Sequence, residues 1–289
     1  MVVPTKLAAS MLAALLTPFD RHGDVDVHAL RAHVESLLDG GLDGLFPAGT
    51  SGEGALLEPP EVTRVLETVI PLAAGRAWVL AQVGRPSTRA TVALAERAVA
   101  LGADAVAAVV PYYYEADHDA LLRHYSALVA SVPDTPVYAY NIPKRTVNDL
   151  DPGVLDALAR EGLAGVKDSS GSFERHLAYL ELAAERDAAG VPFAVLTGSE
   201  KEVLASLQNG SHGAVTAIAN LHPELLSRLA RAHENGHAPE AAEAQAELSE
   251  LKDEVARLGP TPRGIKRAVA DAMRERGIDY SPALRAPFG

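Results

Sequence analysis

The chain of 289 residues contains no cysteine, which excludes disulfide scaffolds, thiolate metal sites and cysteine nucleophiles. Lysine is scarce, with six lysines among 26 basic residues, and 38 acidic residues bring the net charge to −12. That charge disfavours nucleic acid and anionic membranes as partners. No apolar run reaches the roughly 20 residues that a membrane span needs. The composition is otherwise that of a globular protein, so we expect a soluble, cytoplasmic chain.

Apolar runs of strand length recur regularly along the first 220 residues. Eight of them are continuous rather than alternating, which is typical of parallel strands buried on both faces. They span 11–16, 43–46, 78–83, 105–110, 137–140, 163–166, 193–196 and 214–217. The first run faintly resembles a secretory signal, but no small-x-small cleavage pattern follows it, so we interpret it as a buried strand.

Amphipathic segments of helix length lie between these runs, at 27–39, 61–69, 88–100, 119–130, 152–160, 173–186 and 200–207. Ser87 or Thr88, Asp151 and Ser172 are the expected helix starts. Strand starts are about 20–35 residues apart, the size of a βα unit. The sequence therefore predicts an α/β fold, a (β/α)₈ TIM barrel, with a doubly wound open sheet as the alternative.

The strand pattern stops after Asn220. Three helices are predicted at 223–235, 239–258 and 263–276, separated by glycine-containing breaks. No Ser/Gly-rich linker or change of composition makes this tail an independent domain. We therefore expect a barrel over residues 1–221 and a C-terminal three-helix extension over 222–289, packed on the barrel or at a subunit contact.

Lys167 ends the sixth apolar run, at the carboxyl end of a predicted strand. Catalytic groups of TIM barrels lie at that end. Desolvation there lowers the pKa of a lysine, so that its neutral amine can attack a carbonyl group. The alternative is a structural ion pair with Asp168. Most of the other lysines lie in polar or helical contexts, where we expect solvated roles.

A glycine-rich turn, 49–54, follows the second predicted strand and reads Gly-Thr-Ser-Gly-Glu-Gly. Its backbone N–H groups and the hydroxyls of Thr50 and Ser51 could bind a carboxylate or phosphate. It contains neither a P-loop nor a dinucleotide-binding pattern. A tight turn without a ligand is the alternative.

Tyrosine and arginine side chains follow two other strands. Tyr140 ends the fifth strand, where it could transfer a proton, and Arg145 in the next loop could hold a carboxylate with two hydrogen bonds. A packed aromatic ring and a solvated arginine are the alternatives. Tyr112, Tyr113 and Tyr114 follow the fourth strand and are expected to pack against another subunit.

The histidines form no metal-binding pattern, neither the pairs His28/His33 and His118/His124 nor the lone His212. We expect ordinary surface or capping roles for them. We expect neither a metal ion nor a cofactor.

Taken together, the motifs resemble the dihydrodipicolinate synthase / N-acetylneuraminate lyase family of class I, Schiff-base-forming aldolases. The resemblance runs from about residue 12 to residue 220. One such motif alone is weak evidence for the resemblance, but this many motifs in the right order are strong evidence. The motifs are Gly49-Thr50-Ser51-Gly52-Glu53, Pro111-Tyr112-Tyr113, Tyr140-Asn141-Ile142-Pro143, Gly165-Val166-Lys167-Asp168, Thr197-Gly198-Ser199-Glu200 and Gly213-Ala214-Val215.

The resemblance implies that Lys167 condenses with the keto carbon of pyruvate and that Tyr140 donates and accepts protons. It implies that Thr50 and Ser51, with their backbone amides, hold the pyruvate carboxylate. Thr50 would also link Tyr140 to Tyr113, which in the family reaches in from a neighbouring subunit.

The resemblance further implies that Gly198 and Val215 line the pyruvate pocket through backbone atoms. It implies a homotetramer, a dimer of dimers, and an aldehyde as the second substrate. We expect neither a nucleic acid nor a membrane as a partner.

The motifs give conflicting indications about the second substrate. Arg145 stands where synthases of the family hold the carboxylate of aspartate semialdehyde, which favours a synthase. The segment 165–171 instead resembles relatives that act on 2-keto-3-deoxy sugar acids, and Lys144 and Val147 depart from the small residues usual in synthases. We therefore predict a lyase similar to dihydrodipicolinate synthase, with a keto-sugar-acid aldolase or dehydratase as the alternative.

One further prediction concerns regulation, and two other functions are considered. Pro59, Val62 and Pro86 replace polar or histidine residues of the synthases' lysine-feedback site, which predicts no inhibition by lysine. A hydrolase or isomerase on an open sheet would need a nucleophile elbow or a metal constellation, and neither is found in the sequence. A catalytically silent keto-acid-binding protein on the same barrel stays open.

Overall fold

The structure is a computed structural model, which describes residues 9–288. Its strands close into one barrel in chain order, with parallel neighbours. This confirms the TIM barrel and excludes the open sheet. The strands are β1 Ser10–Ala13, β2 Gly44–Leu45, β3 Trp78–Gln82, β4 Ala105–Val109, β5 Val137–Asn141, β6 Gly165–Asp168, β7 Ala194–Thr197 and β8 Gly213–Thr216.

Helices alternate with these strands and continue beyond them. Helix α5, Pro143–Thr146, was not predicted, and the predicted helix at 200–207 begins as a short 3₁₀ turn, Glu200–Glu202. The helices are α1 Val27–Asp39, α2 Pro59–Ala73, α3 Thr88–Ala100, α4 His118–Ser131, α5 Pro143–Thr146, α6 Pro152–Arg160, α7 Phe173–Ala188, α8 Val203–Gln208, α9 Pro223–Glu234, α10 Ala238–Arg257 and α11 Arg263–Glu275.

Side-chain caps fix several helix starts. Ser87 accepts a hydrogen bond from the N–H of Ala90, and Ser172 caps α7 in the same way. The side chain of Asp151 caps α6, whose first residue is proline. A cap of this kind stabilises a helix by about 1 kcal/mol because it satisfies an unpaired N–H. All three starts agree with the sequence prediction.

The apolar runs form the core. Every residue of β1 is buried, which confirms that the first run is a strand. Leu12, Leu15 and Leu16 are at most 1% exposed. Burial of one such side chain contributes about 1.5–3 kcal/mol. Within residues 9–288, no helix combines the length and the apolar character that crossing a bilayer requires.

Two compact units are distinguished along the chain. One is Ala81–Ala214, and the other joins Ser10–Leu80 to the part from Val215 onward. In the second unit, helix α9 contacts both β1 and α10. The predicted division between residues 221 and 222 stays a prediction.

The expectation that the histidines lie at the surface is wrong for His33 and His124. His33 is completely buried, and its Nε2 lies 3.0 Å from Asn220 Oδ1. Burial lowers the pKa of His33 to about 4, so this side chain is neutral at pH 7. His124 is 3% exposed and hydrogen-bonded to Thr88. Both lie on the inward faces of their helices, where one ring nitrogen of each is within hydrogen-bond distance of a partner distant in the sequence.

Candidate active site

Lys167 and Tyr140 lie side by side in the barrel. Strands β5 and β6 are parallel, and their register pairs Tyr140 with Lys167. Paired residues of neighbouring strands point to the same face of the sheet. Both side chains are buried, and Lys167 Nζ lies 4.1 Å from the centroid of the Tyr140 ring. The structure thus brings together the two residues that the sequence placed at the ends of these strands.

The surroundings of Lys167 favour its neutral amine. Burial lowers the pKa of Lys167 below its usual 10.5, while interactions with Tyr140 and the charge of Glu200 offset part of this effect. Glu200 is buried at the start of the 3₁₀ turn after β7. A desolvated lysine of this kind is a nucleophile for carbonyl carbons.

Asp168 lies on the other side of the strand from Lys167, because successive side chains alternate between faces. Its carboxylate accepts hydrogen bonds from His176 Nδ1, at 3.1 Å, and from the N–H of Ser170, at 2.9 Å. His176 belongs to α7 and is buried. The arrangement assigns Asp168 to the contact with α7 rather than to the suggested ion pair with Lys167.

The last residue of β5 is held in a similar way. Asn141, which pairs with Asp168 in the register, donates to Asp149 Oδ1 at 2.8 Å and to the Tyr179 hydroxyl at 3.1 Å. Its Oδ1 accepts from the N–H of Leu150. These contacts attach the carboxyl ends of β5 and β6 to the neighbouring loop and helix, and so they fix the backbone that carries Tyr140 and Lys167.

Two motif glycines permit close packing at these strands. A Cβ on Gly165 would lie 2.6 Å from the ring of Tyr138, the residue opposite it. A Cβ on Gly198 would collide with Ser169 Oγ. The N–H of Gly198 donates to the carbonyl of Asp168 at 2.7 Å. The predicted binding residue Gly198 therefore lies directly against the end of β6.

The turn 49–54 lies in the other unit, after β2. Ser51 is buried and Thr50 is half-buried. The turn is closed by hydrogen bonds from the N–H of Gly54 to the carbonyl of Gly49 and from the N–H of Glu53 to that of Thr50. It is therefore a compact, defined loop and not an open one.

The turn also lies against the end of β1. Thr17 Oγ1 donates to the carbonyl of Gly52 at 2.8 Å, and a Cβ on Gly52 would lie 2.5 Å from the carbonyl oxygen of Leu15. A glycine is therefore required at Gly52. Val215, the last predicted binding residue of this unit, is buried in β8.

Two predicted site residues lie at the surface. Tyr113 is 78% exposed, has a positive φ of 81°, and forms an edge-to-face pair with Tyr114. Arg145 is exposed in the one-turn helix α5. The adjacent Lys144 directs its Nζ to Gly171, where an added Cβ would lie 3.1 Å away. Two cationic side chains thus follow the carboxyl end of β5.

Sequence reasoning missed a buried ion pair beneath the turn 49–54. Lys266 was expected to be solvated, but it is completely buried and forms an ion pair with Glu53. The helical spacing of Lys266 with Ala270 and Met273, both buried, was a signal that this lysine faces inward. Sequence reasoning also assigned no role to Glu200 or His176.

Within residues 9–288, no group of three or more His, Cys, Asp or Glu side chains is arranged to hold a metal ion. The polar groups whose interactions affect Lys167 include a phenol and a carboxylate. Such a set suits proton transfer and iminium chemistry at an amine.

Comparison with known proteins identifies the family to which this chain belongs. The profile of the dihydrodipicolinate synthetase family matches residues 7–289. A curated relative from Halobacterium salinarum, an uncharacterized DapA-like lyase, is 39% identical over 95% of this chain and 86% of its own. The 4-hydroxy-tetrahydrodipicolinate synthase of Brucella suis is 36% identical over 94% of this chain and 91% of its own.

A solved structure is similar throughout. YagE, a prophage protein of the dihydrodipicolinic acid synthase family from E. coli K12, crystallised in complex with pyruvate, superposes with a TM-score of 0.89. It shares 27% sequence identity, and the match covers 96% of this chain and 92% of YagE. The chain therefore belongs to the dihydrodipicolinate synthetase family, whose members are class I aldolase-type lyases.

Proposed function

We propose that this lyase forms a Schiff base between Lys167 and pyruvate and makes or breaks a carbon–carbon bond with an aldehyde. The observation that carries the proposal is the buried Lys167 amine over the Tyr140 ring, with its pKa lowered by burial. The neutral Nζ attacks the keto carbon, and the keto oxygen leaves as water after protonation. Loss of a methyl proton from the iminium then gives an enamine, whose carbon attacks the aldehyde.

Tyr140 is the proton donor and acceptor in this scheme, because its side chain is next to the reacting amine. Thr50 and Ser51 bind the pyruvate carboxylate through hydroxyl and backbone N–H groups. Gly198 and Val215 line the keto-acid pocket through backbone atoms. Hydrolysis of the iminium by water returns Lys167 and releases the product.

Aspartate semialdehyde is the favoured second substrate. Arg145 can bind its carboxylate with two parallel hydrogen bonds, and Lys144 adds a second positive charge in the same one-turn helix. The synthase name of the Brucella suis relative supports this choice.

A 2-keto-3-deoxy sugar acid is the alternative substrate. Ser169 and Ser170 follow the Schiff-base lysine, and Ser169 Oγ lies against Gly198. Hydroxyl groups there suit a polyhydroxylated chain, since hydroxyls both donate and accept hydrogen bonds. In that case the same lysine would support aldol cleavage or dehydration.

We propose a homotetramer in the cytoplasm as the working form. Exposed aromatic side chains are characteristic of subunit contacts, and Tyr113 and Tyr114 are both more than 70% exposed. Tyr113 would enter the site of a neighbouring subunit, with Thr50 linking it to Tyr140.

Borohydride trapping tests the proposal. The protein is mixed with pyruvate, reduced, and digested for peptide mass spectrometry, and we expect a reduced pyruvyl adduct on Lys167. Lys167→Ala should lose the adduct, while Lys201→Ala, at an exposed lysine, should keep it. An adduct with 2-keto-3-deoxygluconate but not with pyruvate favours the sugar-acid alternative. Absence of any adduct with both keto acids contradicts the mechanism.

Turnover separates an enzyme from a silent binding protein. The trapped protein is assayed with pyruvate and aspartate semialdehyde, and then with a panel of aldehydes and keto-sugar acids. We expect carbon–carbon bond formation with the semialdehyde. An adduct without turnover of any pair would identify a binding protein.

A further inference from the structure

Lys266 in α11 is a buried cation that the proposed chemistry does not use. It is completely buried and forms an ion pair with Glu53 of the turn 49–54. Its Nζ also donates to the carbonyl of Ala283 at 3.0 Å and lies 4.2 Å from the centroid of the Phe19 ring. The C-terminal part of the chain thereby reaches the turn that carries Thr50 and Ser51.

Glu53 is held from a second direction. Its Oε2 accepts a hydrogen bond from the N–H of Arg285 at 2.8 Å, and the Arg285 guanidinium pairs with Glu61. That guanidinium lies 4.6 Å from the Phe19 ring. Both carboxylate oxygens of Glu53 are therefore held by the C-terminal segment, one by a side chain and one by the backbone.

The backbone of Glu53 closes the turn. Its N–H donates to the carbonyl of Thr50 at 3.2 Å, and its φ is 56°, in the left-handed region that side chains with a Cβ rarely adopt. Such a conformation persists only where surrounding contacts impose it. The contacts with Lys266 and Arg285 are the ones that fix the side chain of this residue.

Stability alone is a weak reason to bury this pair. Two charges lose their hydration on burial, and an apolar pair of similar volume often serves as well or better. A buried ion pair does, however, fix geometry, because either charge left alone in the interior is costly. The ion pair therefore favours one conformation of the turn over others.

We propose that Glu53 and Lys266 are positioning residues for the keto-acid carboxylate, which hold Thr50 and Ser51 in the conformation that binds it. The inference rests on the proposed function of Thr50 and Ser51. Neither residue of the ion pair touches substrate in this scheme. Loss of the ion pair should therefore change mainly the KM for pyruvate, since the carboxylate is bound before and during the reaction at Lys167.

The test uses the full chain and four variants: Lys266→Met, Glu53→Gln, the double variant, and Lys252→Met as a control. Lys252 is a half-buried lysine of the neighbouring helix α10, remote in the sequence from the turn. Each protein is measured for KM and kcat with pyruvate and for the pyruvate dependence of borohydride trapping at Lys167. Thermal melts establish that each variant is folded.

We expect Lys266→Met to raise the KM for pyruvate by ~10-fold or more, because small misplacement of a binding group has effects of up to about 10²-fold. The kcat should change by less than about 3-fold, since Lys167 and Tyr140 are intact. The trapping reaction should need correspondingly more pyruvate and still give full labelling. The double variant should lie nearer the wild type than Lys266→Met does, because it leaves no lone charge buried.

A folded Lys266→Met protein with the wild-type KM for pyruvate would overturn the inference, as would an equal rise of KM in Lys252→Met. If Lys266→Met does not fold, Glu53→Gln decides in the same way, because it leaves the buried Lys266 charge without its partner and should also raise the KM for pyruvate. Failure of all three to fold would assign the pair to stability of the fold and would also overturn the positioning role. Failure of the proposed function can be distinguished from failure of the positioning role, because in the first case the wild-type protein itself would give no adduct with pyruvate.

Discussion

Tyr140 and Lys167 are register partners on β5 and β6, and the lysine amine lies 4.1 Å from the centroid of the tyrosine ring. Their proximity is set by strand pairing and does not depend on a loop. Strand-borne groups are held more precisely than loop-borne ones. The amine and the phenol therefore meet without any rearrangement of the backbone.

Tyr140→Phe removes the hydroxyl and keeps the ring, so it tests the role of the hydroxyl alone. The phenyl ring still packs against Lys167, so we expect the borohydride adduct with pyruvate to form. Turnover should fall by ~10²–10⁴-fold, the usual contribution of a proton-transfer group. Trapping yield and steady-state turnover of the same preparation provide the measurement.

Tyr138→Phe is the matched control for this prediction. Tyr138 is buried two residues earlier in β5 and packs against Gly165. Removal of its hydroxyl should leave turnover near that of the wild type. If Tyr140→Phe and Tyr138→Phe reduce turnover equally, the hydroxyl of Tyr140 has no special part in proton transfer.

The rate of iminium formation should depend on the ionisation of Lys167. Burial lowers the pKa of this lysine from 10.5, and only the neutral amine attacks the keto carbon. The trapping rate at saturating pyruvate should therefore rise with pH and level off with a midpoint below 10.5. A midpoint at or above 10.5 would contradict a desolvated nucleophile.

The same shift affects stability. Because the folded-state pKa of Lys167 lies below the unfolded value, the unfolded chain binds the proton more tightly. The contribution of this lysine to the free energy of unfolding should therefore increase as pH rises between the two values. Lys167→Met should lose this dependence, which denaturant titration at several pH values can measure.

The barrel was predictable because its strands are continuous apolar runs, separated by helices with polar outer faces. Helix α5 was not predicted, since the four residues Pro143–Thr146 are too few for a hydrophobic period to appear. Lys167 and Tyr140 were predictable as neighbours because they end two runs that are adjacent in the predicted strand order.

Buried polar groups on helices were the part that local patterns could not predict. His33 meets Asn220 across 187 residues of sequence, and Arg285 meets Glu53 across 232. Helical spacing places such residues on an inner face, but the partner that makes their burial acceptable is known only from the fold. For Lys266, the charge suggested solvent although the spacing indicated the interior.

Lysine should not inhibit this enzyme. Val62 is buried in α2, and Pro59 and Pro86 lack the N–H and the side-chain polar groups that bind an amino acid. We expect turnover with pyruvate and aspartate semialdehyde to be unchanged up to ~10 mM lysine, which corresponds to binding weaker than about −2.7 kcal/mol. Half-inhibition at ~1 mM would contradict this expectation.

Asn148 holds the loop that presents Tyr113. Its Nδ2 donates to the carbonyls of Pro111, at 2.7 Å, and Tyr114, at 2.8 Å, and its Oδ1 accepts from the N–H of Ala116. Asn148→Asp keeps the shape but loses both donors and places a carboxylate against two carbonyl oxygens. We expect a loss of ~1–3 kcal/mol of local stability and misplacement of Tyr113.

If Tyr113 acts in the site of a neighbouring subunit, Asn148→Asp should both weaken the tetramer and lower turnover by about 10-fold or more. Sedimentation velocity and steady-state assays on the same sample measure the two effects. Asn209→Asp is the control, because Asn209 is an exposed residue after α8 whose Nδ2 donates only to the carbonyl of Ala205 among the contacts of the described chain. A variant Asn148→Asp that is folded, tetrameric and fully active would show that the loop 111–116 keeps its conformation without these hydrogen bonds.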